Sequence, residues 1–280
     1  MRVLRTTFLL TALTLVLITS GAYLGGRNGM QTALIIAAIL NAFAYFFSDK
    51  IALWSSGAQP VSREQVPRLY EVMERLAAKA NLPVPKLYLV PEAAPNAFAT
   101  GRNPHHASVA VTEGLLQLMN DDELEGVIAH ELSHVRNYDI LISSIAATIA
   151  GAITYLARMG FWFGRDDDRE GGGLAGILML ILAPFAAFLL QLGISRQREY
   201  SADATGARMV GQPYGLISAL QKLGAYNKRI PTTLVSPTTG ALCIVKPMFG
   251  SGNMSSLFST HPPLEDRIAA LREMTVVPQR

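Results

Sequence analysis

Residues 130–134 read His-Glu-Leu-Ser-His. On a helix, residues four apart lie one turn apart and about 40° around the axis, so His130 and His134 can aim both imidazoles at one ion. Glu131 is rotated about 100° from His130. That is too far round for a natural third ligand, but it suits a group that reaches water at the ion. Two imidazoles on a metal beside a carboxylate base give zinc-assisted hydrolysis. The competing reading is a surface helix with two ordinary histidines.

A catalytic zinc takes three protein ligands and keeps one position open. The remaining histidines are His105, His106 and His261, and the one cysteine is Cys243, which sits in an apolar run. The better third ligand is Glu199, in Arg198–Met209. Asp203 lies one turn further along the same face and is placed to accept a hydrogen bond from a ligand histidine. Ala202, Ala204, Gly206 and Ala207 would let this helix approach the histidine-bearing one closely. Otherwise Glu199 and Asp203 form a solvated acidic face paired with Arg198 and Arg208.

The histidine-bearing helix is expected to start near Asn120, an N-cap residue, with Glu123 completing a capping box and Asp121 and Asp122 at the positive end of the dipole. Leu124, Val127, Ile128, Leu132 and Val135 form its apolar stripe. Upstream, residues 62–79 read as an amphipathic helix ended by Pro83 and Pro85. Residues 86–90, 96–100 and 107–112 are short strands separated by turn residues, and a small antiparallel sheet is expected. Residues 227–258 read as a loop or lid.

Residues 7–24 and 33–47 are uncharged and apolar; with neighbouring residues both approach the roughly 20 that a membrane span needs. Arg2 and Arg5 also fit a signal peptide, but the apolar stretch is long for one and a second follows closely. Residues 140–163 and 174–194 form a further pair, rich in Ala and Gly, around an acidic connector at 164–173. Basic residues near the span ends (Arg2, Arg5, Lys50, Arg196, Arg198) put both termini and residues 49–139 in the cytoplasm. Two spans separate His130 from Glu199, which returns both to one side of the membrane.

Half of the 280 residues are apolar and 16% are charged, as suits a membrane protein with a soluble part. The net charge of +3 comes without a Lys/Arg-rich run, so nucleic-acid binding has no support. A single cysteine forms no internal disulfide.

Residues 130–139 (HELSHVRNYD), 199–203 (EYSAD), 96–101 (NAFATG) and 259–268 (STHPPLEDRI) resemble the HtpX family of bacterial membrane proteases, relatives of the CAAX prenyl protease. The resemblance covers nearly the whole chain. It implies an inner-membrane, zinc-dependent endopeptidase facing the cytosol, with one zinc per subunit, acting on misfolded or damaged membrane proteins. It implies that Asn96, Ala97, Phe98, Ala99 and Thr100 form an edge strand that pairs with an extended polypeptide substrate. It also implies that His261 and Arg267 line the active site; His261, at the foot of a helix that Pro263 can start, suits an oxyanion donor.

The expected fold is an α-helical membrane protein with four transmembrane helices and a small α+β zincin-like (gluzincin) catalytic domain. Residues 1–50 form an N-terminal transmembrane hairpin and 51–139 the first part of the catalytic domain. Residues 140–194 form a second hairpin and 195–280 the second part of the domain. Two other readings stand beside it. One is a non-catalytic membrane chaperone or adaptor with a structural metal site, which would have no need of Glu131. The other is an intramembrane protease, which would bury the His-Glu-Leu-Ser-His run within a span.

Overall fold

The computed structural model describes residues 2–146, 196–229 and 262–274. The first element, α1 (Arg2–Ser55), breaks at Gly25 and Gly26, where Gly26 takes φ 56°. The chain folds back there. Asn41 Nδ2 donates to Thr14 Oγ1 at 2.8 Å, and a Cβ on Gly21 would lie 2.5 Å from the Gly29 carbonyl. Among the described residues, one helix, Gly25–Ser55, is long and apolar enough to cross a membrane. Residues 139–146 are helical, and Ile142 and Ile145 pack with Ala44 and Leu10. The remainder of the second expected hairpin, residues 147–194, lies outside the described residues.

The soluble part runs β1 (Gln59–Pro60), α2 (Pro67–Ala80), β2 (Lys86–Val90), β3 (Ala97–Gly101), β4 (Ala107–Thr112), α3 (Glu113–Leu118) and α4 (Asp121–Arg136). Further along the chain come α5 (Arg196–Val210), α6 (Tyr214–Arg229) and α7 (Leu264–Glu273). The helix expected over 62–79 begins only at Pro67, whose fixed φ favours the first helical turn. It ends at Asn81, which caps it in the left-handed conformation.

The sheet is mixed rather than antiparallel. Its order is β1-β2-β4-β3, with β2 parallel to β4 and the outer pairs antiparallel. β4 pairs on both sides, and β3 takes the edge beyond it. Gly101 turns the chain out of β3 at φ 138°, and a Cβ there would meet the His106 carbonyl at 2.2 Å.

α4 lies at the centre of the soluble core. Asn120 and Glu123 close the capping box in both directions at 2.9 Å. Leu124, Val127, Ile128, Leu132 and Val135 are each fully buried, which stabilises the fold by roughly 1.5–3 kcal/mol per side chain. α4 stops at Asn137, and Tyr138 with φ 59° turns the chain into the helix that begins at residue 139.

Candidate active site

α4 carries His130 and His134 one turn apart, with rings edge-on and Nε2 atoms 3.2 Å from each other. α5 crosses α4 at Gly206, where a Cβ would lie 3.1 Å from the His130 amide nitrogen. That close approach, two turns along α5 from Glu199, lets the carboxylate reach both rings. Glu199 Oε2 is 3.7 Å from His130 Nε2, and Oε1 is 3.6 Å from His134 Nε2.

Asp203, one turn after Glu199, sits 2.8 Å from His130 Nδ1. A proton held there leaves the Nε2 lone pair facing Glu199 and His134. Asp203 is held in turn by Arg267 from α7, whose Nε and Nη2 donate to the two carboxylate oxygens at 2.8 and 2.6 Å. Arg267 is 1% exposed. Burial opposes its charge, but Asp203 and Glu199 outweigh that and hold the guanidinium firmly protonated. Arg267 also stands 3.5 Å from His130 Nδ1 and 3.7 Å from Glu199 Oε2, so it borders both groups directly as well as holding Asp203. Burial also opposes the Asp203 charge, yet Arg267 and His130 keep its carboxyl below the usual range.

His134 has its own support, which the sequence reading missed. Asp139 Oδ2 lies 3.4 Å from His134 Nδ1, and Arg198 lies 3.9 Å from the other Asp139 oxygen. The only signal for it is an aspartate directly after the turn that ends α4. Burial disfavours charge on His134, but Asp139, Glu199 and Glu131 outweigh it and push the imidazole up to about 9. Burial dominates at His130 and holds it below its ordinary value despite Asp203.

Glu131 is 4% exposed. Burial pushes its carboxyl up to about 8, opposed by His134 and helped by Glu199. The backbone amide of Ala99 in β3 faces it and opposes that rise. The register explains that contact. Thr112 N donates to Asn96 O at 2.9 Å, which makes residues 98 and 100 the next hydrogen-bonded partners of β4. The backbone groups of Ala97, Ala99 and Gly101 therefore point away from β4. Asn96 itself lies just before the strand, tied to Thr112 through both its amide and its carbonyl. The edge is Ala97–Gly101, one residue later than the sequence suggested. Phe98 faces Leu53 and Val90, on the opposite side of the sheet from Ala97 and Ala99.

His261 and Cys243 lie outside the described residues. α7 begins at Leu264 with Pro263 as its cap, so Pro263 precedes the helix rather than forming its first residue.

A family model for peptidase family M48 matches residues 62–275. The chain belongs to peptidase family M48. Proteins named Protease HtpX homolog are similar over almost their whole length. The one from Desulfatibacillum aliphaticivorans is 54% identical, covering 96% of this chain and 88% of its own. The one from Syntrophotalea carbinolica is 50% identical over 99% and 100% of the two chains, and the one from Pyrococcus furiosus 50% over 97% and 96%. The fold is similar to the crystal structure of S. mikatae Ste24p, with TM-score 0.53 and 19% identity, over 92% of this chain and 61% of that longer one. Membership in family M48 makes this chain a membrane metalloprotease; the non-catalytic reading has no support.

Proposed function

We propose that the chain is a zinc-dependent endopeptidase of a bacterial inner membrane that hydrolyses misfolded or damaged membrane proteins. The observation that carries this reading is the convergence of His130, His134 and Glu199 beside Glu131. Their donor atoms all lie within 4.8 Å of one another. Ligands at about 2.0–2.1 Å from a tetrahedral zinc stand roughly 3.3 Å apart. The separations here are 3.2, 3.6 and 3.7 Å, and the donor set of two imidazoles and a carboxylate suits that ion. One zinc per subunit would be held by these three groups.

Zinc would supply Lewis-acid activation of water and of the scissile carbonyl. The chain's own residues do the rest. Glu131 takes a proton from the attacking water and later delivers it to the leaving amine. Asp203 and Asp139 hold the two imidazoles in orientation, and Arg267 holds Asp203. Arg267 is thus a positioning residue. His261 is proposed as the donor to the developing oxyanion. The outward backbone groups of β3 are a template for an extended peptide. All five residues of β3 are buried, so the peptide meets this edge within the folded chain.

Four spans with both termini in the cytoplasm fit this arrangement. The approach of Glu199 to both histidines supports an even number of crossings between them. The deciding experiment is metal analysis of detergent-purified protein with a casein cleavage assay. Near one zinc per chain, cleavage lost in chelator and restored by zinc is the expected result. A metal-free protein that still cleaves would overturn the reading.

A further inference from the structure

We propose that Lys50 and Arg102 form a docking surface for anionic phospholipid headgroups beside the end of edge strand β3. The proposal rests on the membrane placement of α1 given above. Residues 30–48 of α1 carry no charge, and at 1.5 Å per residue they extend about 28 Å, close to the ~30 Å of a hydrocarbon core. Ile35, Ile39, Phe43 and Phe46 are each about half exposed or more, as lipid-facing side chains must be. The uncharged stretch ends at Asp49 and Lys50, so the headgroup layer lies there.

Two cations are held at that height by aromatic rings. Lys50 Nζ stands 5.2 Å from the centroid of the Phe47 ring. The Arg102 guanidinium stands 5.7 Å from that of Phe46. Phe46 and Phe47 are consecutive, so the two contacts differ by one residue's rise along the helix. Arg102 comes from far along the chain, directly after β3, and the turn it opens carries exposed His105 and His106 and no acid between residues 102 and 106. Trp54, one turn beyond Lys50, is 84% exposed, and exposed tryptophan favours the membrane interface. A cation over an aromatic face keeps its outer side for an anion, and at this height the available anion is a lipid phosphate. Such docking would fix the height of β3, and of the Ala99–Glu131 contact, against the membrane that carries the substrate.

The test uses full-length protein with Trp162→Phe, which leaves Trp54 as the one tryptophan. It is placed in nanodiscs of phosphatidylcholine doped with equal amounts of either brominated phosphatidylcholine or brominated phosphatidylglycerol. A cation near an anionic surface enriches the anionic lipid roughly fivefold, so brominated phosphatidylglycerol should quench Trp54 several-fold more efficiently. Lys50→Gln with Arg102→Gln should bring that quenching down to the phosphatidylcholine level, while Lys50→Arg with Arg102→Lys should retain the difference. Equal quenching by both lipids in the starting protein would overturn the proposal, as would a difference that survives the double glutamine variant. Quenching by neither lipid would mean that Trp54 is not at an interface, and the membrane placement of α1 would fail with it.

Discussion

Glu131 faces the Ala99 amide, His134 and Glu199, and it stands outside the cluster of donor atoms formed by His130, His134 and Glu199. Glu131→Gln should therefore retain zinc at the parent stoichiometry while cleavage falls by about 10²–10⁴-fold. Metal analysis with a casein assay on the same preparation checks this, and a near-parent rate would remove Glu131 as the base. Arg267 supports the site through a different route. It touches Asp203, Asp203 touches His130, and the bidentate fit is one that a lysine cannot reproduce. Asp203→Asn should weaken zinc retention by about 10–100-fold, and Arg267→Gln should do likewise by leaving Asp203 buried without its main partner. Zinc competition against a chelating dye reads both. A fall in turnover at full zinc occupancy in Arg267→Gln would instead place the guanidinium among the reacting atoms.

The contact between α4 and α5 turns two separate motifs into one site. Gly206 faces the Ala129 carbonyl carbon and the His130 amide nitrogen, each 3.1 Å from where a Cβ would be. Both neighbours are helix backbone and cannot move aside. Gly206→Ala should separate the helices and cost about 1–3 kcal/mol, with Glu199 drawn from the histidines. A drop in zinc affinity alongside the lower melting temperature is expected; an unchanged affinity would show that Glu199 is positioned by its own surroundings. The start of α4 is fastened separately. Burial alone would push the Glu123 carboxyl up, but Lys222 at 2.7 Å, Ser218 at 2.6 Å and the Asn120 amide outweigh it and hold it below its ordinary value. A carboxyl lowered in the folded state contributes stability that is complete above its unfolded value and is lost as pH falls through the folded one. Melting temperature should therefore fall with acidification below the ordinary carboxylate range, and Glu123→Gln should flatten that part of the profile. A variant that keeps the parent profile would assign the acid sensitivity to other carboxylates.

Over the whole molecule, the sheet meets both α1 and the helix that starts at residue 139 at β3. Thr100 and Ser144 meet at 2.6 Å, both fully buried, so the end of the edge strand is tied to the helix that starts at residue 139. Leu53 of α1 packs on Phe98 from the other side. The catalytic part is thus packed against α1 and the helix that starts at residue 139. The proposed topology predicts that a reporter fused after Asp168 is active outside the cytoplasm, while one at the C-terminus is active inside. Both reporters on one side would reject the second hairpin, and with it the route that returns Glu199 to the histidines.

The capping box, the α4 apolar stripe and the one-turn spacing of His130 and His134 were all legible in the sequence, because each depends on residues within a few positions of one another. The same holds for Glu199 with Asp203 on one helix face. Sheet order was not legible. Strand patterns report burial and alternation, and they carry no record of which strand lies beside which; β4's place between β2 and β3 is a tertiary outcome. The partners of the site residues were hidden for the same reason. Nothing local to Arg267 distinguishes an Asp203 partner 64 positions away from Glu265 or Asp266 beside it. The one local signal for Asp139 is its place after α4, and its meeting with His134 depends on a turn with Tyr138 at positive φ. Local sequence determined which elements form and which faces they bury. The packing of α4 against α5 and α7, set by small residues and buried charge pairing, decided how those elements make one site.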